Sequence, residues 1–107
     1  MIIKPIRQNG SLTLSLSGEL DHHAAKNAIP AISEYIDIDL PANLILDFQS
    51  VRFMDSSGIA LVIGAYKKIT LTGGSFSVTN VSPQAYKVFN AAGICKFINI
   101  ISTHTSA

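Results

Sequence analysis

The stretch from Leu44 to Lys68, LILDFQSVRFMDSSGIALVIGAYKK, changes its hydrophobic period partway, and that change limits what the chain can fold into. It opens on the continuous apolar run Leu44-Ile45-Leu46, the pattern of a fully buried strand. It closes with Ile59, Val62, Ile63, Tyr66 and Ile69 at helical spacing. Between the two lies Met54-Asp55-Ser56-Ser57-Gly58. Asp and Ser favour helix starts because their side-chain oxygens accept from the unpaired N–H groups of the first turn. The stretch therefore reads as a strand, a short loop and a capped helix, with two hydroxyls and a carboxylate at the helix mouth. The positive end of the helix dipole there suits an anion such as phosphate.

By itself, Asp-Ser-Ser before an apolar run is an ordinary cap. Three features add a functional reading. The loop follows a buried strand of an α/β pattern, where function tends to gather. Gly58 costs a helix about 1 kcal/mol relative to Ala, and its small size is expected to leave the serines accessible. The helix is apolar nearly all round from Ile59 to Ala65, so it is either buried on every side or presents a patch to a partner.

The rest of the chain supplies the elements around this stretch. Ile2 to Gln8 reads as a strand that Pro5 confines to an edge. Asn9-Gly10 is a two-residue hairpin turn. Leu12, Leu14 and Leu16 then alternate with Ser11, Thr13, Ser15 and Ser17, a half-buried strand. Gly18-Glu19-Leu20-Asp21 ends the hairpin, and Asp21 can cap a helix whose stripe is Ala25, Ile29, Ile32 and Ile36. Pro30 predicts a kink or a late start in that helix. Asp37 to Asn43 is a loop. Thr72-Gly73-Gly74 is a turn, and Ser75 to Thr79 alternates as a strand. Ser82-Pro83 starts a helix with the stripe Ala85, Val88, Phe89 and Ala92, and Gly93 follows its end. Lys96 to Ile101 is the last strand, and residues 102–107 are expected to fray. The order β-β-α-β-α-β-α-β predicts an α/β fold, a mixed sheet with an antiparallel hairpin and helical crossovers.

With 107 residues the chain makes one domain, 1–107, and 48% hydrophobic residues against 14% charged favour a packed core. A net charge of +1 gives no field for nucleic acid or an anionic membrane. No apolar run nears the roughly 18 residues of a membrane span. Met1-Ile2-Ile3-Lys4-Pro5 lacks the apolar segment of a signal peptide. Cys95 is alone and is read as inert core, and a cytoplasmic protein is expected.

Chemistry is sparse. There is no phosphate-binding glycine motif, so no nucleotide cofactor is expected, and the single Cys excludes cysteine-rich zinc patterns. His22 and His23 are adjacent, so they do not face one metal site, and they read as solvated. No G-x-S-x-G surrounds Ser56 or Ser57, and no His has a sequence reason to lie beside them, with His104 in the tail a poor base. Asp21 and Asp55 could pair, but nothing marks a substrate pocket. The chain is not expected to be an enzyme.

Gly18-Glu19-Leu20-Asp21, Phe53-Met54-Asp55-Ser56-Ser57-Gly58, Gly73-Gly74, Ser82-Pro83 and Ala92-Gly93 together resemble the bacterial anti-sigma factor antagonists. These are STAS-domain proteins of the sporulation and stress-response type. The resemblance covers nearly the whole chain, and the Asp-Ser-Ser-Gly stretch is its specific part. It implies a STAS fold and a partner-switching module. An anti-sigma factor that is also a serine kinase binds the unmodified antagonist and releases its sigma factor. That kinase phosphorylates the first serine of the motif, here Ser56, and a serine phosphatase reverses the step. The stretch around Glu19 and Asp21 would lie beside that serine. The expected contact surface is Glu19, Asp21, Asp55, Ser56, Ser57, Gly58, Ile59 and Leu61, with Leu61 facing outward. Pro30 departs from the family's pattern. Two other readings stand beside this one: a STAS-type interaction subunit of a lipid-transport ATPase, not controlled by phosphorylation, and a small hydrolase or nucleotide binder using Ser56.

Overall fold

Asn9 and Gly10 both take positive φ, 50° and 83°, as a two-residue hairpin turn requires if its twist is to match its strands. In the computed structural model, which describes residues 1–102, this turn joins β1 (Ile2–Gln8) to β2 (Ser11–Leu20), with Gln8 opposite Ser11 and Ile2 opposite Ser17. β1 is an edge strand, where Pro5 breaks no second ladder. Every later neighbour is parallel, because a helix carries the chain back each time. α1 (His22–Asp39) leads to β3 (Asn43–Met54), α2 (Ser57–Leu71) to β4 (Ser75–Val81), and α3 (Pro83–Ala91) through a 3-10 turn (Ile94–Lys96) to β5 (Asn99–Ser102). The sheet runs β1-β2-β3-β4-β5, so β3 is the central strand, as the apolar run predicts.

The core lies on one face of the sheet. Leu12 and Leu14 pair with Leu44 and Leu46, and these four with Leu16 and Phe48 are at most 1% exposed. α1 adds Ala25, Ala28, Ile32 and Ile36, α2 adds Leu61, Val62, Ala65 and Ile69, and α3 adds Ala85 and Phe89. Ser11, Thr13 and Ser15 on the opposite face stay partly exposed. This corrects the reading of Leu44-Ile45-Leu46 as buried throughout. Ile45 points to that second face, between Thr13 and Ser77, and is half-buried.

Several boundaries differ from expectation. β2 does not stop at Ser17. Gly18 takes φ 117° where β3 carries an extra residue, Arg52, against it, and β2 continues with Glu19 opposite Phe53 and Leu20 opposite Met54. α1 starts directly after Asp21, with no late start at Pro30, and runs to Asp39, shortening the loop read over 37–43. Pro30 is exposed, so water can take the carbonyl it leaves unpaired. Ile29 is 38% exposed, and Ala28 replaces it in the buried stripe. Lys96 belongs to the 3-10 turn, so the last strand begins only at Asn99, and Ser102 ends it. Residues 103–107, with His104 and the rest of the expected tail, lie outside the described residues. Cys95 is half-buried against the core. Among the described residues no helix is long and apolar enough to cross a membrane.

Candidate functional site

Because β2 and β3 are parallel neighbours, they end side by side, and the helices that follow them start side by side. The continuation of β2 past Gly18 brings the ends level. Leu20 pairs with Met54, and the Asp55 N–H donates to the Leu20 carbonyl at 3.1 Å. The stretches around Asp21 and around Ser56 are distant in sequence and adjacent here.

Each strand end supplies one carboxylate to a helix mouth. Asp21 Oδ1 accepts from the Ala24 N–H at 2.8 Å and caps α1. Asp55 Oδ1 accepts from the Ser57 N–H at 2.8 Å, and its Oδ2 accepts from the His22 N–H at 3.2 Å. One carboxylate thus joins the first turns of both helices. The Ser57 N–H holds the Asp55 carboxyl below the usual range, against the opposing effect of desolvation. The Ser57 hydroxyl and the His22 N–H and side chain add to that depression.

The two serines divide accordingly. Ser57 is the first residue of α2, half-buried, with its hydroxyl turned to Asp55. Ser56 precedes it in helical geometry, φ −63° and ψ −14°, and its side chain makes no cap bond. The residue is exposed. Asp55 performs the capping that the sequence left shared between Asp and Ser.

Gly58 is buried, and its smallness serves another purpose than opening the serines. A Cβ there would run into Met54 Sδ and Cγ, and Met54 is 0% exposed. Gly58 lets the end of β3 pass beneath the first turn of α2. It therefore faces inward and not toward a docked partner. Leu61 is also a correction. It is 2% exposed and sits in the core with Val62, which is 0% exposed. The helix reads apolar all round because α1 and the sheet bury adjacent flanks of it, and its outward side is Ala60, Gly64 and Lys67. Ile59 remains half-buried at the mouth, Asp21 is half-buried and Glu19 is exposed.

Three residues near the site have no part in the contact surface expected from sequence. Phe53, opposite Glu19, is 44% exposed beside the loop. His22 is brought to the serine loop by the paired helix starts, although its side chain is exposed as expected. Gln84, at the start of α3, bonds the Met54 backbone through its side-chain amide. An aromatic side chain next to the charged Arg52 is the local signal at Phe53. No local period marks His22 or Gln84, because their contacts are tertiary. An open groove of about 870 Å³ between β1 and α1 ends at Glu19, Asp21 and Arg52, and Ser56 does not line it. Among the described residues no three His, Cys, Asp or Glu side chains gather as a metal site.

The arrangement is an exposed serine on a loop that hydrogen bonds tie to both helix starts, next to the Asp55 carboxylate and outside the open groove. It can accept a phosphoryl group or meet a partner. Comparison with known proteins agrees with the geometry. The STAS domain family matches residues 3–107. The chain is 33% identical over 98 residues to a Paenibacillus polymyxa protein named anti-sigma F factor antagonist, covering 92% of this chain and 84% of that one. It is similar in structure to the anti-sigma factor antagonist SpoIIAA in its unphosphorylated form, with TM-score 0.78, 29% identity, and coverage of 98% of this chain and 90% of that one. Against the phosphorylated form of the Bacillus cell fate determinant SpoIIAA the TM-score is 0.71 at 29% identity, covering 98% of this chain and 93% of that one.

Proposed function

The chain belongs to the STAS domain family, and from that premise we propose that it is a cytoplasmic anti-sigma factor antagonist switched by phosphorylation of Ser56. Unmodified, it binds an anti-sigma factor that is also a serine kinase, and the sigma factor is released. The kinase then transfers phosphate to Ser56, and a serine phosphatase removes it. The observation that carries this reading is the division of labour at the loop: Asp55 satisfies the helix, which leaves Ser56 exposed and its side chain without a cap bond. That SpoIIAA exists in both phosphorylated and unphosphorylated forms supports the same reading.

Electrostatics supply the switch. A phosphate adds about −1.5 to −2 charges at neutral pH. The dipole of α2 favours it by roughly 0.3–1 kcal/mol, but that gain exists in both free and bound protein and cancels in binding. Glu19, Asp21 and Asp55 are likewise constant. What differs is desolvation. Closing a partner surface, fitted to a hydroxyl, over a dianion costs several kcal/mol, and each ~1.4 kcal/mol is tenfold in affinity. The contact surface on this reading is Glu19, Asp21, Asp55, Ser56, Ser57 and Ile59, with Phe53 added.

Incubation with the cognate kinase and ATP, followed by site mapping, tests the proposal. Phosphate is expected on Ser56 alone, and Ser56→Ala should bind the kinase without being modified. Phosphate on Ser57 would reassign the acceptor. No incorporation would favour an interaction subunit that phosphorylation does not control.

A further inference from the structure

Gln84 closes a gap in the sheet beside the Ser56 loop. β3 and β4 pair from Asn43–Ser75 to Asp47–Thr79 and no further. At Asn80 the backbone turns left-handed, φ 57°, and among the described residues the β4-side edge of β3 beyond Asp47 has no strand paired with it. At Met54, the end of that edge, a side chain takes the strand's place. Gln84 Oε1 accepts from the Met54 N–H at 3.0 Å, and Gln84 Nε2 donates to the Met54 carbonyl at 2.8 Å. A primary amide offers the donor and acceptor of a peptide unit, so the pair forms one rung of a ladder.

The rung is anchored at its far end. Gln84 lies in the first turn of α3, where Ser82 Oγ accepts from the Ala85 N–H at 3.2 Å. Ala85 and Phe89 fix α3 to the core, with the Phe89 ring 5.9 Å from that of Phe48. On the other side of β3, the Asp55 N–H is held by Leu20. The chain is therefore gripped from both sides immediately before Ser56. Gln84 is itself exposed, but the Met54 backbone it bonds is buried, so losing the two bonds costs stability as well as the direction of the loop.

We infer that Gln84 is a positioning residue for Ser56: its amide, anchored through α3, holds Met54 and so sets how the loop presents the acceptor hydroxyl to the kinase. The inference rests on the phosphorylation reading above. Steady-state phosphorylation of the full chain by the cognate kinase and ATP tests it. Gln84→Met keeps the length and removes both bonds. Its kcat is expected to fall roughly tenfold or more, with KM nearly kept, the circular dichroism unchanged and unfolding still cooperative. Gln84→Glu keeps an acceptor for the Met54 N–H but sets a carboxylate oxygen against the Met54 carbonyl, and should also lose rate. It carries the test should Gln84→Met fail to fold. Wild-type kcat in either folded variant overturns the inference. No phosphate in the wild-type chain overturns the phosphorylation reading instead, and the inference with it.

Discussion

The Asp55 carboxylate bonds the first turns of two helices, and the pH behaviour of the protein should record it. Its folded-state pKa is depressed, first by the Ser57 N–H. The unfolded chain then binds the proton more readily, so the stabilisation is complete above the ordinary carboxylate pKa of about 3.9 and is lost as pH falls through the lower folded value. Asp55→Asn removes the charge and one of the two acceptors. It should lower the urea midpoint at pH 7 and shrink the difference in midpoint between pH 7 and pH 3; an unchanged difference would mean that the bonds do not persist in solution. Gly58 sets two opposing magnitudes against each other. Replacement by Ala gains about 1 kcal/mol of helix propensity, whereas overpacking a filled site costs about 1–3 kcal/mol. Because Met54 is fully buried and has little room to move, Gly58→Ala should be destabilising. Combining it with Met54→Ala, which opens space, should give a loss smaller than the sum of the two single losses. The Gly58 requirement is half legible in sequence. A glycine in a first helical turn signals a constraint, but only the folded chain shows that the constraint is the Met54 side chain passing below.

The α2 helix shows where sequence periodicity carries information and where it stops. Strict alternation over Ser11–Ser17 admits a single assignment of faces, and β2 follows it. Ser82-Pro83 and Asp21 specify helix starts through local bonds, and both are found. An apolar sequence all round a helix has no phase, so nothing local told Leu61 from Ile59. The docking of α1 against α2 decides it, and that is a tertiary fact. The continuation of β2 past Gly18 was hidden for a related reason: Gly18 reads as a strand end until its partner strand is known. Leu61→Ala should therefore cost about 2–5 kcal/mol, the usual range for emptying a core leucine site, measured by urea denaturation. Ile59→Ala, at the half-buried mouth, should cost clearly less. Equal losses would place both side chains in the core and remove Ile59 from the contact surface. The exposed Lys68–Asp37 pair, 2.9 Å apart, also links α1 to α2. Such pairs contribute about 0–1 kcal/mol, so the helix phase rests on apolar packing.

For the molecule as a whole, the proposed switch at Ser56 would act without a change of fold. Ser56 is exposed and its side chain makes no cap bond, while the bonds that hold the loop belong to Asp55, Leu20 and Gln84. A charge at position 56 breaks none of them. It is added at the N-terminal end of α2, where the dipole offsets part of the repulsion from Asp55 and Asp21. Folding and binding should then respond separately. Ser56→Glu is expected to show the wild-type circular dichroism and nearly the same thermal midpoint, because surface substitutions away from packing change stability by only about ±0.5 kcal/mol. Its affinity for the cognate anti-sigma factor, measured by titration calorimetry, should fall about a hundredfold or more, the equivalent of ~2.7 kcal/mol of unmatched charge in the interface. Ser56→Ala should bind as the wild type does. If Ser56→Glu instead melted much earlier and lost binding in proportion, the charge would be acting through the fold, and the rigid loop held by Asp55 could not be the basis of the switch.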